Sequence, residues 1–436
     1  MSFVQTQHAS ECPESLGDLF VCGLSTQSIG QDVVGGPTVA WQTCVFLTTY
    51  AAYCGISEIP PEFNRWCSLL ALAAAAENRV YVEKLGEKIV PNLYVFLLGP
   101  SGVGKGASIS HLMRLLRLLP LIRTYRGKLT YAALIDLLNE KRSQAPPRLL
   151  LVTPELGMSV GRGPLADELV KLLTELYTGG DYEFTEQTRT HGPACFTNHS
   201  ICWIAGTTRE WLRDCISRDA VEGGFFARVA CINAAYDFDH RIYTPTHDDT
   251  LLPALAGHLA MVTTLAGPMI LTEQADAVLR IWYEQRPTPD DHALIPAWKR
   301  GHDLVLKLAM LQALADDPPS RTITVSHVVA AQQLAEETMA SLPHLVEFVS
   351  LTPDTEGGKR VEDAISRAKV IQHRSLVRAM LRYGIMAPKV REYVDTLVQG
   401  GLVEIATLGV GAKVTYVWRG RLVRIVGGDG NYATDT

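Results

Sequence analysis

Several things are missing from this sequence, and each absence narrows what it can be. No apolar run reaches the roughly 18 residues that cross a bilayer; the longest candidate, Trp66 to Ala76, is short, alanine-rich and reads as a core helix. The nine cysteines are scattered, with no Cys-x-x-Cys pair and no histidines at zinc spacing, so reduced, buried thiols of a cytoplasmic protein are expected rather than a disulfide or zinc scaffold. No basic start followed by an apolar segment marks a secretory leader. No internal repeat is evident. A net positive charge is also missing: the balance of −6 argues against a uniformly basic nucleic-acid binder.

The charge is unevenly placed, however. From Lys359 to Val426 there are 13 Lys and Arg against 5 Asp and Glu, a local surplus of +8 that leaves −14 for the rest. A basic C-terminal module on an acidic body is implied. With 47% hydrophobic and 20% charged residues the chain reads as a soluble globular protein, and 436 residues exceed one ordinary core, so two or three domains are expected.

The most informative stretch is Asn92 to Ser108. An apolar run, Leu93 to Leu98, reads as a buried strand. It stops at Gly99-Pro100-Ser101-Gly102-Val103-Gly104-Lys105, after which Ile109, Leu112, Leu115, Leu116 and Leu119 keep the period of a helix with one buried face. Strand, glycine-rich loop and helix in that order form a P-loop. Its glycines let backbone N–H groups face phosphate oxygens, the helix N-terminus adds positive potential, and Lys105 reaches the terminal phosphates. ATP with Mg²⁺ is therefore expected across Gly99 to Ser108. The next residue is ordinarily Ser or Thr, whose hydroxyl holds the magnesium; here Gly106 and then Ala107 follow the lysine.

Further buried strands are expected at Arg148–Val152, Ser200–Ala205 and Val229–Ala234, alternating with helices, which describes a three-layer parallel α/β domain. Residues 1–85 read as a polar arm and a helical segment, 86–245 as the P-loop core, 246–350 as a helical lid, Thr352–Gly358 as a linker, 359–426 as a winged helix and 427–436 as a disordered tail.

Hydrolysis needs a carboxylate that polarises water beside the γ-phosphate, and Glu155 stands just past the second buried strand. It is also the candidate magnesium ligand, because Pro154 replaces the acidic residue that would precede it. Thr207 and Thr208 end the third strand, where a hydroxyl can orient that water. Arg228, between a Gly-Gly-Phe-Phe turn and a strand, is placed to reach across a subunit boundary and stabilise transition-state charge. Arg300 heads the clearest downstream helix and is expected to bend over the phosphates. A hairpin at Tyr182–Asn198 carries Arg189 and His191 at its tip, positioned for a phosphate backbone. In the C-terminal module Lys389 and Arg391 open the third helix in the manner of a recognition helix, with Lys413 on the wing; a module of this kind binds DNA or docks on protein.

Together these residues resemble the AAA+ ATPases, and within them the hexameric helicases of the MCM and superfamily III kinds and a group of bacteriophage and prophage P-loop proteins found near replication genes. The phage likeness spans roughly Pro60 to Leu345 and rests on Pro91-Asn-Leu-Tyr, Pro100-Ser-Gly-Val-Gly-Lys-Gly106, Glu155-Leu-Gly, Leu173-Thr-Glu-Leu-Tyr177, Ala205-Gly-Thr-Thr208, Gly223-Gly-Phe-Phe-Ala-Arg228 and Leu306-Lys-Leu-Ala-Met310. The resemblance implies Gly99–Lys105 as Walker A, Glu155 as the Walker B glutamate, Thr207 or Thr208 as sensor 1, Arg228 as the arginine finger and Arg300 as a sensor 2 candidate. It implies a pore-lining role for the 182–198 hairpin, a homo-oligomer that is a hexamer, single-stranded DNA in the pore, replication partners and a bacterial cytoplasm. Gly106 and Pro154 depart from the pattern, with Ser108 or Thr153 as substitute magnesium ligands. The implied function is a ring-forming DNA helicase of a phage or mobile element. A helicase loader or transposition-type ATPase, and a nucleotide-binding scaffold with little hydrolysis, are the alternatives.

Overall fold

Alternation within each apolar strand determines the layers. In β3 (Tyr94–Leu98) every residue is buried, yet Val95 and Leu97 join one hydrophobic cluster while Tyr94, Phe96 and Leu98 join another. Strands β5 (Arg148–Thr153) and β8 (Ser200–Thr207) divide their side chains the same way. Two apolar faces require helices on both sides. With β4 (Thr124–Arg126) and β9 (Val229–Asn233) they form a five-stranded sheet, all parallel, in the order β4-β5-β8-β3-β9.

The computed structural model describes residues 44–423, apart from 140–144, 162, 180–182, 189–191, 218–219, 221–222, 238–240, 351–352, 409–412 and 421, together with 433–434. The expected arm at residues 1–38 lies outside the described residues.

One face of the sheet is covered by α1 (Val45–Cys54), α2 (Pro61–Ala76), α3 (Lys105–Leu116) and the buried side of the helix Ile295–Leu314. The buried alanines Ala71 and Ala73 to Ala76 in α2 let that helix approach closely. The opposite face is covered by Tyr131–Leu138, Pro164–Leu176 and Arg209–Cys215. The long helix Val325–Ser350 serves both clusters, with Leu334 in the first and Leu345 in the second. A hairpin, β1 (Val80–Lys84) with β2 (Glu87–Ile89), turns through Leu85 and Gly86 at positive φ, and β1 also pairs with Gly267–Pro268. The boundary drawn at 85/86 thus falls inside a hairpin.

The segment Thr352–Gly358 is not a linker beyond its first residue, because a helix runs from Pro353 to Ala368. Its glycines serve packing: a Cβ on Gly357 would stand 2.5 Å from the Tyr393 hydroxyl. The C-terminal unit then continues as strand Val370–Gln372, helices His373–Leu381 and Ala387–Gln399, and strands Val403–Leu408 and Lys413–Trp418. The first of these strands, unforeseen in the sequence, pairs antiparallel with the last. In the tail, Ala433–Thr434 pairs with Leu422–Val423.

Among the described residues no helix is long and apolar enough to cross a membrane. The seven described cysteines are free thiols, six of them buried.

Candidate nucleotide site

The loop after β3 has the backbone its glycines were expected to provide. Gly102 and Gly104 lie at φ 87° and 95°, the left-handed region that favours glycine, and Gly104 caps α3. Gly99 is held by crowding: an added Cβ would meet the Ala234 carbonyl oxygen at 2.6 Å. Lys105 opens α3 and is only 7% exposed, its Nζ donating to the Gly99 and Pro100 carbonyls at 2.6 and 2.7 Å. The ammonium therefore folds over the turn where phosphates would sit. Burial lowers its pKa, and the nearby Glu155 carboxylate partly restores it.

The sheet order puts three groups at one edge. Because β8 runs between β3 and β5, Thr207 lies between the loop and Glu155. Leu98 pairs with Thr207, and the Gly99 amide donates to the Thr207 carbonyl at 3.3 Å. Thr153 pairs with Ala205, which sets Pro154 against Gly206; a Cβ there would lie 2.4 Å from the Pro154 carbonyl oxygen. Glu155 is exposed at the N-terminus of a one-turn helix and its side chain makes no capping bond.

Of the two threonines, the structure separates the roles. Thr208 caps the helix Arg209–Cys215, accepting from the Trp211 amide at 3.3 Å. Thr207 is buried and its hydroxyl donates to the Thr208 carbonyl at 3.1 Å. Thr207 is the better candidate to orient a water.

The substitute magnesium ligands are placed elsewhere. Ser108 is fully buried against α2, donating to Asn64 Oδ1 at 2.9 Å. Thr153 Oγ1 donates to the Ile204 carbonyl and accepts from Trp203 Nε1 at 2.9 Å. Both hydroxyls are spent inside the fold. Of the magnesium candidates, only Glu155 reaches this edge, and no cluster of three His, Cys, Asp or Glu capable of holding a metal occurs among the described residues. The glycine loop and Lys105 suit a triphosphate; the donor set does not suit the usual magnesium arrangement.

Arg228 and Arg300 do not reach this edge. Arg228 precedes Val229, the residue paired with Tyr94 at the start of β3, so it stands at the far end of the sheet. Arg228 and Arg300 both line a small cavity of about 20 Å³, bounded by Tyr94 and Tyr177, which has room for one water. Within one subunit Arg300 therefore stands with Arg228 and away from Lys105, rather than over the loop that follows β3. Arg228 donates from its guanidinium to the Gly224 carbonyl at 2.9 Å, while its Nε is buried without a partner. Burial, then the charge of Arg300, lowers its pKa.

The strands β6 (Phe184–Thr188) and β7 (Gly192–Phe196) pair as the expected hairpin, but Arg189 and His191 lie outside the described residues. Lys389 is paired with Glu392 at 2.9 Å and stands over the Tyr393 ring, whereas Arg391 is exposed. Lys413 opens its strand opposite Leu408.

Sequence reasoning missed two neighbours of the loop. Ile59 packs on Gly104, where an added Cβ would meet its Cγ1 at 3.0 Å, and the Tyr236 hydroxyl donates to the Ser101 carbonyl beside Gly102. Each of the two left-handed glycines is thereby covered by a side chain from a distant segment. No periodicity marks either residue, since both lie in connections. No protein-family model matches the chain, and no curated protein matches it.

Proposed function

We propose that the chain is an AAA+ ATPase that assembles into a ring, most simply a hexamer, and couples ATP hydrolysis to movement along DNA. The observation that carries this reading is a division of labour. Lys105, Glu155 and Thr207 meet at one edge of the sheet, whereas Arg228 and Arg300 share a cavity at the other. A head-to-tail contact between two copies would bring the arginines of one onto the phosphates of the next. In that site Lys105 would leave the Gly99 and Pro100 carbonyls for phosphate oxygens, Glu155 would take the proton of the attacking water, and Thr207 would orient it. ATP supplies the phosphoryl group and the driving force; the donors for its magnesium are the exposed Glu155 and solvent.

The C-terminal unit supports DNA contact. Its order of helix, strand, two helices and two strands, with the first strand beside the last, fits a winged helix whose recognition helix starts at Ala387 and exposes Arg391. A forked duplex incubated with ATP tests the proposal: strand displacement is expected, and Lys105→Ala should abolish it. ATP turnover that DNA does not stimulate, with no unwinding, would refute it.

One observation favours a second reading. With Gly106 lacking a hydroxyl and Ser108 and Thr153 engaged inside the fold, the site also suits a nucleotide-binding scaffold with little hydrolysis. Tight ATP binding with negligible turnover, with or without DNA, would favour it over the motor.

A further inference from the structure

Between the core and the C-terminal unit lies a cleft of about 770 Å³ that belongs neither to the nucleotide site nor to the recognition helix. Five cations line it: Arg209 from the core, Lys359, Arg360 and Arg367 from the helix Pro353–Ala368, and Arg382 beyond the next helix. Two carboxylates face them, Glu347 and Asp363, and Glu347 is already bound by Lys359. Arg360 and Arg367 are seven residues apart, two turns along one helix face, so their charge is spread over roughly 10 Å. The Arg360 and Arg382 guanidinium groups stand 4.4 and 4.8 Å from the Tyr383 ring centroid, which holds two flexible cations in place. Phe348, Ile371 and Met380 supply apolar surface between the charges.

We propose that this cleft is a binding site for single-stranded nucleic acid, read at the nucleotide site through Arg209. Spread positive charge meets successive phosphates, while planar guanidinium groups and apolar side chains offer stacking surface for bases. A single phosphorylated side chain would not use the length of the Arg360–Arg367 face. Arg209 makes the connection. It is the first residue of the helix capped by Thr208, directly after Thr207, whose carbonyl accepts from Gly99 of the P-loop. A phosphate drawing on Arg209 therefore acts on the strand end that borders the nucleotide. This coupling rests on the nucleotide reading of that edge; strand binding in the cleft does not.

The test uses the full chain and a fluorescein-labelled fifteen-residue oligothymidylate, followed by anisotropy without nucleotide. Arg360→Glu/Arg382→Glu is expected to weaken binding at least tenfold and to reduce the salt slope by about 1.4, two single-strand phosphate contacts' worth. Arg209→Glu, on the other wall, should weaken it several-fold and remove any stimulation of ATP turnover by the oligonucleotide. Melting temperatures confirm folding of each variant. A fluorescent ATP analogue, bound equally by wild type and the double variant, keeps the two readings apart: loss of analogue binding in wild type refutes the nucleotide reading alone. Equal oligonucleotide affinity in wild type and both variants overturns the cleft proposal. So does wild-type protein that fails to bind the oligonucleotide, or that binds a phosphopeptide of equal charge as tightly.

Discussion

Lys105 and Arg228 stand at opposite ends of one parallel sheet. Lys105 follows Leu98, the last residue of β3, while Arg228 precedes Val229, which pairs with Tyr94, the first. Four strand rises of about 3.3 Å separate those ends by roughly 13 Å before the P-loop adds its own length. If hydrolysis needs both, Lys105→Ala and Arg228→Ala should each be inactive, and an equal mixture should regain about one quarter of wild-type turnover, since random assembly pairs an intact lysine with an intact arginine at that fraction of head-to-tail interfaces. Phosphate release from the mixture is the measurement; no recovery at any ratio would place both residues in the same subunit's chemistry or in none.

Gly106 faces open space, with nothing within 4 Å of an added Cβ. Gly106→Ala should therefore fold normally and gain up to about 1 kcal/mol in denaturant unfolding, because glycine is the poorer helix former. Gly106→Ser adds a hydroxyl where a P-loop ordinarily has one. The magnesium concentration giving half-maximal turnover should fall several-fold in the serine variant and stay unchanged in the alanine variant.

Gly206 behaves oppositely. Its Cβ would lie 2.4 Å from the Pro154 carbonyl oxygen, so Gly206→Ala must push the ends of β5 and β8 apart. A loss of about 1–3 kcal/mol is expected. Because Pro154 leads into Glu155, kcat should fall by more than KM rises, and unchanged kcat in a destabilised but folded variant would separate Glu155 from the chemistry.

Lys307 is wholly buried, bound to Asn92 through its carbonyl at 3.3 Å and its side-chain oxygen, and 4.2 Å from the Tyr177 ring centroid. Burial takes its pKa from 10.5 to about 7, against the opposing pull of Asp303. The unfolded chain therefore keeps a proton that the folded chain loses above pH 7, so this residue makes stability rise with pH there and contributes no slope below. Buried thiols such as Cys202, with a pKa raised by burial from 9.0 to about 12, oppose the trend at higher pH, so the window is about pH 7 to about pH 8.5. In that window the melting temperature of wild type should rise relative to Lys307→Met, and parallel curves would show that Lys307 stays charged. The variant should also be less stable at the outset, by about 1–3 kcal/mol, because the Asn92 side-chain oxygen loses its donor.

Much of the core was legible because its signals are local. Apolar runs long enough for a strand, a 3.6-residue period after Lys105 and glycines spaced for a left-handed turn each depend on a few neighbouring residues. β3, β5, β8, β9 and α3 were readable for that reason. The short strand Val370–Gln372 was not, since three residues carry no periodicity and exist as a strand only through pairing with Thr415–Val417. Thr352–Gly358 misled because its glycines suit a flexible linker in isolation, while in the fold they admit Tyr393.

The site divides along the same line. The shape of the glycine-rich loop was legible in the chain alone, since the left-handed conformation of Gly102 and Gly104 follows from residue type and spacing. Which hydroxyls remain available depends on long-range packing. Ser108 is spent on Asn64 and Thr153 on Trp203 and Ile204, partners 44 to 51 residues away in the chain. That packing alone decided that β8 separates β3 from β5, bringing Thr207 between Lys105 and Glu155, and that Arg300 joins Arg228 at the far edge. Strand order and helix entry are set by how two apolar faces are covered at once, and that information is not stored in any one segment.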